Sequence, residues 1–448
     1  MTSRIFATAL LLCTFLPSLL LYGQPGDSDA ISEQPNIDCS PAPCILPEIG
    51  TGDRFGLSFV ANPSNAQQLM FSTLASSGSY ADHSGDGGAT WVQTLLPDYG
   101  DGGFNSGSFV AYNLNNLAYA VWTEGPNDLY GYTSVGFSTS GDNGSTWSAA
   151  KEVVSPTSRS QPFAESVTVD DTPSSPFANT IYIPIHQSGL FNISAFVAVA
   201  SSHDGGVNWS TASVDRPTRG EARGTTSRLA VGKNGTAYLV WTRPQTDSSC
   251  ASAQIRVSKS TDGGTTWRAS VVVTTVMQPP NCILPNTNWG LSLFPVIAVD
   301  NSGGRFAGYI YVSMYNWTGT QMQVLVAHSA NGGATWSVPV PVAPVTETHD
   351  QFNPSISVSP SGILGVTWLD RRDDPANTQY RAYAAVSADG GNVFGTNFGI
   401  ASALTDPNTG YPDYTRNLWI DTRLLGLFPD AALSGSLQLV LGGIRLVH

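Results

Sequence analysis

Residues 260–267 read Ser260-Thr261-Asp262-Gly263-Gly264-Thr265-Thr266-Trp267. The chemistry of this octapeptide is that of a turn. An Asp carboxylate can accept hydrogen bonds from backbone N–H groups of its own loop. Glycine supplies the positive φ that a tight hairpin needs. The tryptophan opens the next strand and offers its ring to a neighbouring sheet, where burial is expected. Upstream, Leu229-Ala230-Val231, the turn Lys233-Asn234-Gly235 and the run Ala237 to Trp241 read as two strands. Gln254 to Ser258 alternates as a third strand, and Trp267 to Val273 as a fourth. The octapeptide therefore joins the third and fourth strands of a four-stranded unit.

The pattern Ser-x-Asp-x-Gly-x-Thr-Trp recurs. It is intact at Ser84-Asp86-Gly88-Thr90-Trp91 and at Ser140-Asp142-Gly144-Thr146-Trp147. Three further copies drift: Asn208 replaces Thr after Asp204, Asn331 replaces Asp before Trp336, and the last reads Ser387-Asp389-Gly391-Val393-Phe394. The repeat length is roughly 61 residues, which suits a four-stranded propeller blade. The expected fold class is all-β, a β-propeller of four-stranded blades. Seven blades are favoured and six are the alternative, because the chain after its leader holds about seven such lengths. The seventh blade would join Leu418 to His448 with a strand from about Asn36 to Ile49, removing an open sheet edge. Residues 1–23 read as a signal peptide, 24–50 as the segment closing the last blade, and 51–448 as the propeller.

Composition narrows the function classes. Only 12% of residues are charged and the formal net charge is −13, so a phosphate backbone is not an expected partner. Arg4 followed by an apolar run to Leu21 marks export, giving a secreted or periplasmic protein with no membrane attachment after cleavage, expected as a monomer. Removing the leader leaves Cys39, Cys44, Cys250 and Cys282. An even count in an exported chain suggests disulfides. Cys250 and Cys282 fall in two loops of one blade, which leaves Cys39 to pair with Cys44. Neither a zinc-type spacing nor a phosphate or dinucleotide fingerprint occurs, so no metal and no cofactor are expected.

The octapeptide resembles the Asp box, or BNR repeat, of the sialidase superfamily, and the resemblance extends over nearly the whole chain after the leader. It implies structural roles for Asp86, Asp142, Asp204, Asp262, Asn331 and Asp389. It also implies a ligand site at the central mouth, opposite the boxes, for a glycan or an extracellular protein. Candidate ligand-binding residues on mouth-facing segments are Arg54, Glu221, Arg243, Arg371, Tyr411, Asp413, Tyr414 and Arg416. Arginine suits carboxylates because its planar fork binds both oxygens. The family's hydrolases use three arginines, a Tyr–Glu pair and an acid/base Asp. Arg54 and Arg243 stand where two of the arginines would. Arg54 is followed by Phe55-Gly56 rather than the family's Ile-Pro, Ser227 and Arg228 stand near the glutamate's place, and the loop Leu74 to Ser79 has no carboxylate. Two functions follow: recognition with catalysis lost, or release of an anionic terminal sugar by an exo-sialidase-type hydrolase.

Overall fold

A computed structural model describes residues 36–38, 55–75, 78–97, 104–125, 133–157, 160–189, 196–215, 225–244, 250–291, 293–409, 415–430 and 438–447. They form seven antiparallel sheets. In blade 1 the strands are Phe55–Asn62, Asn65–Ala75, Gly78–Ser84 and Val92–Leu95. Blade 4 repeats the plan with Thr225–Val231, Ala237–Pro244, Ser252–Ser260 and Val271–Met277. Blade 7 takes Arg416–Ile420, Arg423–Asp430 and Gln438–Val447 from the C-terminal part of the chain. Its outermost strand, Asn36–Asp38, comes from the N-terminal part and pairs with Val447, Leu446 and Arg445.

The first strand of each blade touches the first strands of the blades on either side, and that of blade 7 touches that of blade 1. The seven inner strands therefore close a ring, and the molecule is a seven-bladed β-propeller. Serines link adjacent inner strands. Ser58 Oγ accepts the Val110 N–H at 2.8 Å, and Ser355 Oγ accepts the Asn417 N–H at 3.1 Å. Apolar residues of successive blades fill the spaces between sheets, as the two-sided burial of the second strands requires: Ala118–Gly125 and Leu364–Asp370 are buried almost throughout.

The turns between third and fourth strands are built as their residues dictate. At residue 262 the carboxylate takes the Thr266 N–H on one oxygen at 2.9 Å and the Thr266 hydroxyl on the other at 2.5 Å. Ser260 Oγ accepts the Gly264 N–H at 2.9 Å, with Gly264 at φ 88°. In blade 5 the Asn331 amide oxygen takes the Thr335 N–H at 2.9 Å, while its NH2 donates to the Thr335 hydroxyl at 2.8 Å. The same contacts survive with one donor reversed. These bonds hold Asp86, Asp142 and Asp204 at pKa values of about 2.

The box tryptophans are half-buried rather than buried, and pairing in the fourth strand of blade 4 starts at Val271, not at Trp267. Each ring lies at the rim of a sheet, with one face on the core and the other toward solvent. The wholly buried indoles belong instead to second strands: Trp122, Trp241 and Trp368. Each gives its N–H to a carboxylate, at Glu124, Asp215 and Asp370, over 3.1, 3.0 and 2.7 Å.

Cys250 and Cys282 form a disulfide with Cα atoms 5.3 Å apart. The bond fixes the root of the long blade 4–5 connection. That connection then reaches blade 6, where its Pro285 carbonyl accepts from Arg371 Nη1 at 2.7 Å. Asn286 Nδ2 donates to the Asn377 carbonyl at 3.0 Å. Among the described residues no helix is long and apolar enough to cross a membrane.

Candidate functional site

The inner strands are irregular where they enter from the mouth. Pairing shifts between Gly56 and Ser58, between Ser106 and Ser108, between Thr225 and Arg228, and between Phe352 and Ser355. Three bulged residues, Gly107, Thr226 and Asn353, take positive φ of 74°, 56° and 48°. Glycine adopts this at no cost and asparagine readily, but a β-branched threonine is strained there. In blade 3 the inner strand is interrupted outright: Ser160–Ala164 pairs with one end of Ile181–Gly189 and Thr168–Val169 with the other. Glu165 lies in the gap. Bulges and breaks of this kind turn side chains out of their alternation.

Two such side chains meet at the centre. The Arg228 guanidinium carbon is 5.7 Å from the ring centroids of both Phe109 and Phe294. Phe109 belongs to blade 2 and Phe294 to the segment entering blade 5. Those blades stand three apart in a ring of seven, so the guanidinium lies close to the central axis. Arg228 is 8% exposed. Its Nη1 donates to the main-chain carbonyls of Glu165 and Ser227, and the cation closes the floor of the mouth. By strand register its equivalents include Phe109 in blade 2, Val296 in blade 5 and Ser355 in blade 6, none of them charged.

The Glu165 carboxylate stands beside it, 16% exposed and 3.9 Å from His186 Nδ1 on the second strand of its own blade. Burial pushes its pKa from 4.5 up to about 7, against the opposing pull of Arg228 and of the Thr226 N–H, which binds the carboxylate. Desolvation outweighs the stabilising partners here. Strained Thr226 thus serves two blades: its N–H meets Glu165, and its hydroxyl donates to the Leu293 carbonyl at 2.7 Å. Ser227 Oγ is buried and has no hydrogen-bond partner, next to a segment whose Pro295 offers no N–H. Phe163 lies 6.2 Å from the His186 ring, between ring centroids. A carboxyl group that can hold or release a proton near neutrality therefore adjoins a cation packed between the Phe109 and Phe294 rings.

The residues singled out from sequence fall in different places. Arg243 ends the second strand of blade 4, its Nη1 3.5 Å from Asp215 Oδ1. Arg416 begins the inner strand of blade 7, and its Nη1 donates to the Thr415 carbonyl at 2.7 Å. Arg371 is completely buried and pairs with Asp350 at 3.1 Å over the Phe352 ring, so it clasps loops rather than facing the opening. Arg54, Glu221, Tyr411, Asp413 and Tyr414, like Cys39, Cys44 and the leader, lie outside the described residues. Glu165 was not singled out. Its signal was a lone carboxylate directly before the apolar run Ser166-Val167-Thr168-Val169, in a chain poor in charge. Among the described residues no group of three or more His, Cys, Asp or Glu side chains is placed to hold a metal ion.

Seven four-stranded blades, six of them with an Asp- or Asn-centred turn before the fourth strand, define the architecture. The fold is a seven-bladed β-propeller. No protein-family model matches the chain, and no curated protein matches it. Among solved structures, the intramolecular trans-sialidase from Ruminococcus gnavus is similar over 70% of this chain and 90% of its own, at 13% identity and TM-score 0.48. A protein of unknown function from Dyadobacter fermentans is similar over 89% of this chain and 100% of its own, at 12% identity and TM-score 0.46. The α-L-arabinofuranosidase Arb93A from Fusarium graminearum covers 76% and 92%, at 13% identity and TM-score 0.46. These likenesses are of fold alone.

Proposed function

We propose that the protein is an exported propeller that binds a glycan at the floor of its mouth, with Arg228 as the fixed cation and Glu165 as the proton-bearing group. The single observation that carries this reading is the meeting of both side chains near the centre, Glu165 in the break of the blade 3 inner strand and Arg228 just past the bulge of the blade 4 strand. The Asp-box resemblance favours carbohydrate over peptide, and the leader and the disulfide support export.

The raised pKa of Glu165 favours a second reading, hydrolysis of a glycosidic bond, since an acid/base group works best near the working pH. Glycan-array binding tests the first reading: specific signals that disappear in an Arg228→Met variant which still folds support it, and an empty array refutes it. Release of fluorophore from a sialoside or an arabinofuranoside, abolished by Glu165→Gln, separates the hydrolase from the pure binder.

A further inference from the structure

We propose that His83 makes the joint between blades 1 and 2 acid-sensitive: the joint is closed while the imidazole is neutral and loosens when the ring takes up a proton. The joint lies on the face of the Asp boxes, so nothing here depends on what the mouth binds.

In three blades the residue directly before the box serine is basic and faces the box of the next blade. These residues are His83 before Ser84, Lys259 before Ser260 and His328 before Ser329. Lys259 shows the contact that a permanent cation makes: its Nζ donates to the Gly332 carbonyl, in the turn of blade 5, at 2.8 Å. His328 is half-buried, stacks on Tyr309 at 5.7 Å between centroids and faces the Asp389 carboxylate of blade 6. His83 stands apart. It is 7% exposed, and its Nε2 is buried with no hydrogen-bond partner. The turn of blade 2 passes directly over it: a Cβ placed on Gly144 would stand 3.3 Å from the His83 ring and 2.7 Å from Met70 Cε. Asn143 ties the same turn to blade 1. Its Nδ2 donates to the Ser84 carbonyl at 3.0 Å, and its amide oxygen accepts the Tyr112 hydroxyl.

A neutral imidazole fits this place and an imidazolium does not. The cross-strand partners of His83 in blade 1 are Met70 and Val92, both apolar. The charged group facing the ring is the Asp142 carboxylate of blade 2. Tyr112, which reaches Asn143, is a phenol kept neutral by burial. Desolvation outweighs the pull of Asp142 and holds the His83 pKa below its usual 6.5. In an opened joint, as in an unfolded chain, the imidazole meets water and takes its proton at the ordinary value. The closed joint is therefore fully favoured above that value and weakens as pH falls through it. Blade 1 borders the composite blade 7 on its other side, so the proton acts next to the seam of the ring.

Hydrogen exchange of the full chain at pH 5 and pH 7.5, read by mass spectrometry and corrected for the pH dependence of free amides, tests the joint. The expected result is protection several-fold lower at pH 5 in peptides over 69–84 and 137–147, since a difference of one pKa unit between closed and open states is about tenfold in their balance. His83→Met should abolish that loss, and His328→Met should leave it in place. Asp142→Asn should deepen it, because the turn keeps its main-chain contact, as Asn331 shows, while the anion that favours the imidazolium is gone. An acid loss that persists in His83→Met or shrinks in Asp142→Asn overturns the proposal, as does equal protection at the two pH values in the unaltered protein.

Discussion

Glu165 shows how one residue can set a pH response for the whole fold. Its carboxyl is raised from 4.5 to about 7, so the native state holds a proton that the unfolded chain has lost between those values. Stability must then fall as pH rises through that window. Glu165→Gln removes the penalty and should raise unfolding free energy by up to about 3 kcal/mol at pH 8, with little change at pH 4; urea unfolding at the two pH values measures it. Arg371 behaves in the opposite sense. It is wholly buried against Asp350, and that carboxylate also takes the Met322 N–H and the Asn377 amide. Arg371→Met strands a buried anion among loops of blades 5 and 6, and should cost about 3–5 kcal/mol. A melting curve unchanged by that substitution would contradict the clasp. In sequence Arg371 looked like a ligand contact, because charge in a mouth-facing loop reads alike whether it faces water or a neighbouring loop.

At the scale of the element, the repeat made the turns readable and the inner strands deceptive. Each Asp box uses contacts within five residues, so its structure is local and the octapeptide alone specifies it. Asn331 explains why drift is tolerated: an amide keeps the main-chain bond and merely reverses the bond to threonine. Hence Asp262→Asn should change stability by less than about 0.5 kcal/mol at neutral pH, whereas Asp262→Ala should cost about 1 kcal/mol by orphaning the Thr266 N–H. Differential scanning fluorimetry on the pair checks the contrast, and equal losses would refute it. The box tryptophans misled on burial because sequence shows the ring but not that the fourth strand lies outermost. Glu165, Thr226 and Arg228 escaped for a different reason. Their meeting depends on a strand break and a bulge, and pairing in a sheet is set by partners far away in sequence. The blade 4–5 connection stands between these cases, since the Cys250–Cys282 pairing followed from placing both thiols in loops of one blade.

For the whole molecule, the decisive feature is closure. Six blades are each continuous in sequence, and their count was legible from the spacing of the boxes. The seventh carries no box and mixes both parts of the chain. Only three residue pairs, from Asn36 with Val447 to Asp38 with Arg445, join its outermost strand to the rest. That strand covers only the end of Gln438–Val447, a ten-residue run with a single charge, Arg445. Such a run is long, apolar and rich in β-branched and leucine side chains, which makes an uncovered edge prone to pair with another copy. A variant lacking residues 24–38 should still form the ring of inner strands, because these touch one another without the missing strand. It should melt several degrees lower and elute as dimers or larger species in light-scattering chromatography. Adding Val440→Lys to the truncated chain should not restore the monomer if that side chain packs inward in the core, where it is now 1% exposed. A truncated chain that stays monomeric with an unaltered melt would show that the N-terminal strand decorates the ring without securing it.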